Sequence, residues 1–385
     1  MNSIVVYRCF QLVAFLAILL NMSFLRAQRP LEKLAQITGF TKIDDTTTTV
    51  KPKLIFAPII FYTPDTRLAL GGVALNAFRI NAKNDSLSST RMSYIKLVTY
   101  YTLNKQYDAF VSWNIFTPRE DFLFKGEMRY RRYPDRFYGV GNNSQISAEE
   151  KYEYDLLRIK SLFMKKFAKN LFVGFDYEFE LEYRFKYDTD GQLVGGEIPG
   201  YKGGVGSAMG AVAVYDSRDN VLNAFSGTLA EISSYYFTPI LGSNFKFFEL
   251  NGDYRKYIQI RPKHVLAFHS SIRFMIGEVP FLDLSRLGGE DILRGYPSNR
   301  FIDKNLMVSQ VEYRFPLFWR LGMTAFAGAG DVFNNFQDLS LSRLKYSAGL
   351  GLRLLVNPKE RVNIRLDYAR GREGGYFYFS VSEAF

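Results

Sequence analysis

From Leu171 to Tyr187 the chain alternates without a break. Leu171, Val173, Phe175, Tyr177, Phe179, Leu181, Tyr183, Phe185 and Tyr187 share one parity, while Asp176, Glu178, Glu180, Glu182, Arg184 and Lys186 take the other. A period of two is a strand period, so the run has one apolar and one charged face. At roughly 3.3 Å per residue it crosses a bilayer even when tilted by about 45°, and projects beyond it. A soluble sandwich strand is rarely this long. Lipid on one face and a water-filled interior on the other is the setting such a strand requires.

Other runs repeat the pattern. Val362, Ile364, Leu366 and Tyr368 alternate with Asn363, Arg365 and Asp367. Tyr346, Ala348, Leu350, Leu352 and Leu354 alternate with Ser347, Gly349, Gly351 and Arg353. About sixteen such runs fill residues 53–385. Closing them on one another satisfies every backbone donor and acceptor in lipid, which an open sheet cannot do. The fold expected is all-β: a transmembrane antiparallel β-barrel. Its connections fall into short turns, such as Ala168-Lys169-Asn170 and Arg261-Pro262-Lys263, and long loops near 134–149, 188–203, 279–303 and 333–343. Thr63-Pro64-Asp65-Thr66 is a short turn on the side of the long loops.

The two ends of the sequence add an address. Residues 1–27 have Arg8, the apolar stretch Leu12 to Leu20 and a small-residue region ending at Ala27, the layout of a secretory signal peptide. Residues 28–52 read as a short polar periplasmic lead. The single cysteine, Cys9, precedes the apolar stretch, so the exported chain has neither disulfides nor thiolate chemistry. Aromatic residues make up 16% and charged residues 23%, which suits strands that interleave the two. The formal net charge of +11 fits a basic lumen or anionic lipid headgroups, and export argues against nucleic acid as a partner. The expected location is the outer membrane of a Gram-negative bacterium, among outer-membrane lipids.

A closed barrel has a seam where first and last strands meet. The first run, Leu54 to Tyr62, contains Pro58, which lacks a ladder donor and suits an edge. The last run, Tyr376 to Phe385, sets Phe377, Phe379, Val381 and Phe385 on one face. Pro58, Phe377, Phe379 and Phe385 are therefore assigned to a weak lateral seam.

The stretch Gly288-Gly289-Glu290-Asp291-Ile292-Leu293-Arg294-Gly295-Tyr296 lies in the longest interval between late strands. It is too apolar for a solvent loop, so it packs into something. With Gln310-Val311-Glu312-Tyr313-Arg314-Phe315-Pro316, Tyr133 to Asn142, Tyr215 to Asn220 and terminal Phe385, it resembles the BamA/TamA superfamily, also called the bacterial surface antigen family. The resemblance implies a sixteen-stranded barrel whose sixth outer loop folds back into the lumen. It also implies a loop lock of Gly288, Gly289, Leu293, Arg294, Gly295 and Tyr296, with Arg294 contacting Glu312. Strand parity turns Glu312 inward with Gln310 and Arg314. The inner wall near the loop is assigned to Phe326, Gly328 and Gly330.

Two departures from the family pattern stand out. Glycine, at Gly328, occupies the place of the family's aspartate, and Asp331 has the wrong parity to replace it. Either Glu312 holds the loop alone, or Gly328 makes room for a bulkier loop. The segment before the first strand is also too short for a POTRA domain, so the chain is placed in the branch without one.

The expected function is insertion or translocation of protein, or lipid, through the seam. The alternative is a passive channel or structural barrel serving a separate periplasmic partner. The outer-membrane assembly machinery is expected for the barrel's own insertion, and room remains for a periplasmic or lipoprotein partner. An enzyme is not expected: His269 and Ser271 share a strand face but lack a third orienting residue at a persuasive spacing. No cofactor or metal is expected, since histidines are two and no carboxylates are spaced like a calcium loop. Glu178, Glu180 and Glu182 are assigned to a solvated wall facing Arg and Lys. Loss of Arg294 is expected to do more harm than loss of Arg300.

Overall fold

The structure is a computed structural model describing residues 53–80, 90–187, 191–196, 198–358 and 360–385. The signal peptide and polar lead assigned to residues 1–52 lie outside the described residues.

Among the described residues, eighteen strands follow in chain order. The first eight are β1 (Lys53–Thr63), β2 (Arg67–Phe78), β3 (Ser93–Thr102), β4 (Tyr107–Phe116), β5 (Phe122–Phe137), β6 (Glu150–Ala168), β7 (Leu171–Tyr187) and β8 (Gly204–Asp216). Then come β9 (Gly227–Phe237), β10 (Phe247–Arg261), β11 (His264–Gly277), β12 (Ser285–Leu287) and β13 (Phe301–Asp303). The chain ends with β14 (Asn305–Phe318), β15 (Leu321–Phe333), β16 (Lys345–Asn357), β17 (Val362–Arg370) and β18 (Gly375–Val381). Sixteen of these close an antiparallel barrel, and β12 and β13 form a small hairpin inside the loop after β11.

The alternation that defined the strands also sets their faces, in β7 as far as Arg184, whose φ of 57 breaks the parity and turns Phe185 in against Phe281. In β7, Phe172, Asp176, Glu178, Glu180 and Glu182 are buried, while Val173, Phe175 and Tyr177 are exposed outward. That exposed surface, continued by Phe56, Leu70, Ile232 and Leu350 on other strands, is the lipid-facing band. No described helix is long and apolar enough to cross a membrane.

The lumen of the described barrel is filled rather than open at its long-loop end. Phe281, from the loop after β11, packs against Phe137 and Tyr152, with ring centroids 6.0 and 5.4 Å apart. Leu193, Leu282 and Leu284 join the same cluster. The assignment of 134–149 to a loop needs correction, because β5 runs on through Phe137 with Pro134 paired opposite Glu153. The long partner strand β6 keeps that ladder going.

Candidate functional site

The stretch after β12 turns back into the barrel. Gly288 has φ 129, and a Cβ there would meet the carbonyl oxygen of Pro297 at 2.1 Å, so only glycine allows the close return of the chain. Gly289 N–H then donates to the Tyr296 carbonyl at 2.9 Å, closing the apex. Leu293 and Tyr296 are fully buried and pack with Leu287, Phe301, Leu306, Val308 and Val332.

Arg294 lies at the tip and is 1% exposed. It is ion-paired with Glu312 of β14 and, at 2.6 Å, with Asp367 of β17. Its guanidinium stacks over the Phe326 ring of β15, 3.5 Å from the centroid. An unpaired cation this deeply buried is costly, and these three contacts compensate its desolvation.

The pairing extends further. Arg314 bonds Glu312 at 2.7 Å and approaches Glu383. Arg353 pairs with both Asp367 and Glu383, and Arg365 pairs with Glu290 and approaches Asp367. Arg294, Arg314, Arg353 and Arg365 thus face Glu290, Asp291, Glu312, Asp367 and Glu383, four arginines among five carboxylates. The network joins the lumenal loop to β14, β16, β17 and the C-terminal tail. The pairing of each arginine with at least one carboxylate is what makes so much buried charge tolerable.

This geometry resolves the alternatives left by Gly328. Glu312 does not act alone, because Asp367 supplies a second carboxylate from β17. The space at Gly328 is taken as well: a Cβ there would lie 2.8 Å from Gln310 and 2.9 Å from Leu293. Gly330 abuts Val308, and neighbouring Asp331 pairs with Lys345 and Asn142 rather than with Arg294. Arg300, expected to matter less, is nearly as buried as Arg294. It binds Glu373 at 2.6 Å, donates to Ser144 and lies over Phe301.

At the seam, β1 and β18 share one registered pair, Tyr62 opposite Phe379. The next ladder over, β1 with β2, is registered from Lys53 through Thr63. Pro58 lies on β1, exposed outward, and Phe377 and Phe379 face outward on β18. Phe385 does not join them. Ser382, at φ 76, turns the chain inward, and Phe385 is buried against Tyr257, Val265 and Ala267. Arg314 donates to the Phe385 carbonyl at 2.8 Å, and Glu383 is held by Arg353 and Asn363. The assignment of Phe385 to the seam face is therefore corrected: its parity on the strand is broken by one left-handed residue.

The loop reaches across this seam from inside. Ser298 donates from its backbone N–H at 3.1 Å and its hydroxyl at 2.8 Å to Asp65, in the turn between β1 and β2. On the other side, Gly295 N–H donates to the Tyr378 hydroxyl of β18 at 2.9 Å, and Arg300 grips Glu373. Asp65, Asp367, Arg353 and Glu383 were not among the residues singled out in the sequence. The inward parity of Arg353 and Asp367 was readable, but their partners were not.

The remaining sequence candidates are wall residues. His269 bonds Asp253 at 3.0 Å and packs on Phe385, and among the described residues no hydrogen bond joins it to Ser271. Glu178 and Glu180 pair with Lys160 and Arg158 and are buried rather than solvated. Folding also brings Asp283 to Glu180 and Glu182, with carboxylate oxygens within 4.8 Å, a grouping no sequence spacing announced. Burial and these neighbouring carboxylates push the Asp283 carboxyl well above its usual range.

Residues 206–385 match the Omp85 superfamily domain. Among solved structures, the barrel is similar to BamA from Haemophilus ducreyi lacking POTRA domains 1–3, with TM-score 0.57 and 15% identity over 86% of this chain and 70% of that one. CdiB from Acinetobacter baumannii gives 0.53 and 11%, covering 85% and 59%. CdiB from Escherichia coli gives 0.55 and 9%, covering 91% and 69%. At these identities the likeness is one of fold. No curated protein matches the chain in sequence. The C-terminal part of the chain is thus similar to the Omp85 superfamily domain, and the sixteen-stranded whole has the barrel fold of BamA.

Proposed function

We propose that the chain inserts or translocates protein by parting β1 from β18. The observation that carries this reading is the contrast at the seam: one registered pair where neighbouring ladders are continuous. Parting two strands joined so sparsely costs few hydrogen bonds. The lumenal loop supplies the restraint instead, through Asp65 on one side and Tyr378 on the other. Release of the apex would free both edges together, and an exposed edge can accept a client strand by β-addition. The comparison structures, BamA and CdiB, have the same barrel architecture. A passive pore is the weaker reading, since the loop occupies the lumen. Delivery of clients by a periplasmic or lipoprotein partner belongs to the same proposal.

The test is a seam staple. Tyr62→Cys with Phe379→Cys places a disulfide at the registered pair, in a chain whose one native cysteine is Cys9. The purified protein is reconstituted in liposomes and given an unfolded outer-membrane barrel protein, with folding read by semi-native electrophoresis. Oxidation is expected to slow insertion severalfold, and reductant to restore it. Equal rates in both states would end this reading.

A further inference from the structure

We infer that Glu180, Glu182 and Asp283 bind a hard divalent cation of calcium's class, which fastens the root of the lumenal loop to the barrel wall. Glu180 and Glu182 lie on the inner face of β7, and Asp283 comes from the loop between β11 and β12. One carboxylate oxygen from each lies within 4.8 Å of the other two. The three residues are only 2, 5 and 8% exposed, respectively. The site goes beyond the proposed function, since it would bind whether or not the seam parts.

Glu182 is what points to a ligand. Its Oε2 is buried with no hydrogen-bond partner, and among the described residues Glu182 has no ion pair. Its cross-strand neighbours supply none, being Leu156 on β6 and Gly204 on β8. Asp283 stands between Leu282 and Leu284 of the apolar cluster, and it too lacks an ion pair among the described residues. A carboxylate held this far from water is costly unless a cation reaches it. Locally the cations fall short by two: Glu178, Glu180, Glu182 and Asp283 are four carboxylates, and only Lys160 and Arg158 pair with any of them. Arg273 and Arg286 face the group but are committed elsewhere. Arg273 bonds Glu249 through two nitrogens, and Arg286 is held by Asn299, the Leu282 carbonyl and Asp135. One divalent ion cancels the deficit.

The donor set fixes the kind of ion. Carboxylate oxygens without imidazole or thiolate suit calcium or magnesium rather than zinc or copper. Two oxygens on one calcium, each at about 2.3–2.6 Å, stand up to roughly 5 Å apart, so the three groups need little movement to close on it. The loop root is already placed for this. Phe281 N–H donates to the Pro199 carbonyl at 2.9 Å, and its ring packs on Phe137 and Tyr152. Since β7 lies on the far side of the barrel from β1 and β18, the ion would hold the loop at the wall away from its seam contacts.

The experiment takes the full barrel, folded in detergent and stripped of metal with EGTA, and titrates it with calcium chloride in a calorimeter. The temperature at which heat-modifiable mobility is lost is read with and without calcium. One calcium per barrel is expected, bound more tightly than about 1 mM and raising that temperature. Glu182→Gln and Asp283→Asn should each weaken binding by roughly tenfold or more. Each should also raise the loss temperature of the metal-free barrel, because it removes a charge that has no partner there. Glu231→Gln on β9, the control, should bind calcium as the parent does. Absence of saturable binding, undiminished binding by both variants, or equal loss in the control would overturn the site. Neutral variants less heat-resistant than the metal-free parent would overturn it too, by showing that the carboxylates already have partners in the protein. No client protein is present, so the outcome is independent of the seam-staple result.

Discussion

Arg294 and Asp367 are 73 residues apart in sequence and 2.6 Å apart in the lumen. The arginine comes from the returning loop and the aspartate from the penultimate strand, so their bond fixes the depth to which the loop enters. Both are effectively removed from water.

Arg294→Ala should cost about 3–5 kcal/mol in loop docking, the usual effect of removing one partner from a buried pair. Glu312 and Asp367 would keep Arg314 and Arg353, which holds the loss near the lower figure. The expected outcome is a lower temperature for loss of heat-modifiable mobility, together with faster proteolysis within 288–300. Arg294→Lys should recover little, since one ammonium cannot fork between two carboxylates and stack on Phe326. Unchanged mobility in both variants would refute the lock.

Arg300→Ala should destabilise the apex about as much as Arg294→Ala. It leaves Glu373, in the turn before β18, without its partner and removes the bonds to Ser144. Thermal melts of the two variants side by side are the check. A markedly milder Arg300 variant would show that the seam-side turn bears little of the load.

The barrel was legible because its physics is local. Strict alternation names the strand, and the charged parity names the lumen, so the interior position of Glu312 followed from Gln310 and Arg314 beside it. Asp367 shows the limit. Its inward parity is written in Arg365-Leu366-Asp367, but which arginine it meets depends on barrel curvature and on how far the loop descends, neither of which is a sequence pattern. Phe385 failed for a different reason. Alternation holds only while backbone dihedrals stay extended, and Ser382, an ordinary residue to the eye, adopts φ 76 because the tail beyond it is captured by Arg314 and Arg353.

Mild acid should tighten the loop against β1. Burial lifts the Asp65 carboxyl from 3.8 to about 6 despite the bonds from Ser298. A folded-state pKa raised above the unfolded value means that the folded form takes up protons first. Stability is therefore gained as pH falls through about 6, and the gain is complete below the ordinary carboxylate range near 4. Protease protection of the loop should be greater at pH 5 than at pH 7.5, and Asp65→Asn should flatten part of that difference. Protection that declines steadily over this interval would contradict the assignment.

Gly328→Asp restores a carboxylate where the family pattern has one, and it should nonetheless destabilise this barrel. The first atom of the new side chain would already crowd Gln310 and Leu293 and lie 3.1 Å from the Ser309 carbonyl. Leu293 is part of the buried apex, so it cannot withdraw without disturbing Tyr296 and Val308. The new charge would also enter a network in which the arginines already have carboxylate partners, with Arg294 committed to Glu312 and Asp367. Overpacking of this kind costs typically 1–3 kcal/mol, and an unpaired buried carboxylate adds to it. Combining Gly328→Asp with Asp367→Asn moves the second acid from β17 to β15 at constant charge. If the double variant melts no lower than Asp367→Asn alone, Arg294 can be served from either strand, and the packing argument for Gly328 is wrong. The expected result is that the double variant melts below both parents, because the space beside Arg294 is filled by Leu293.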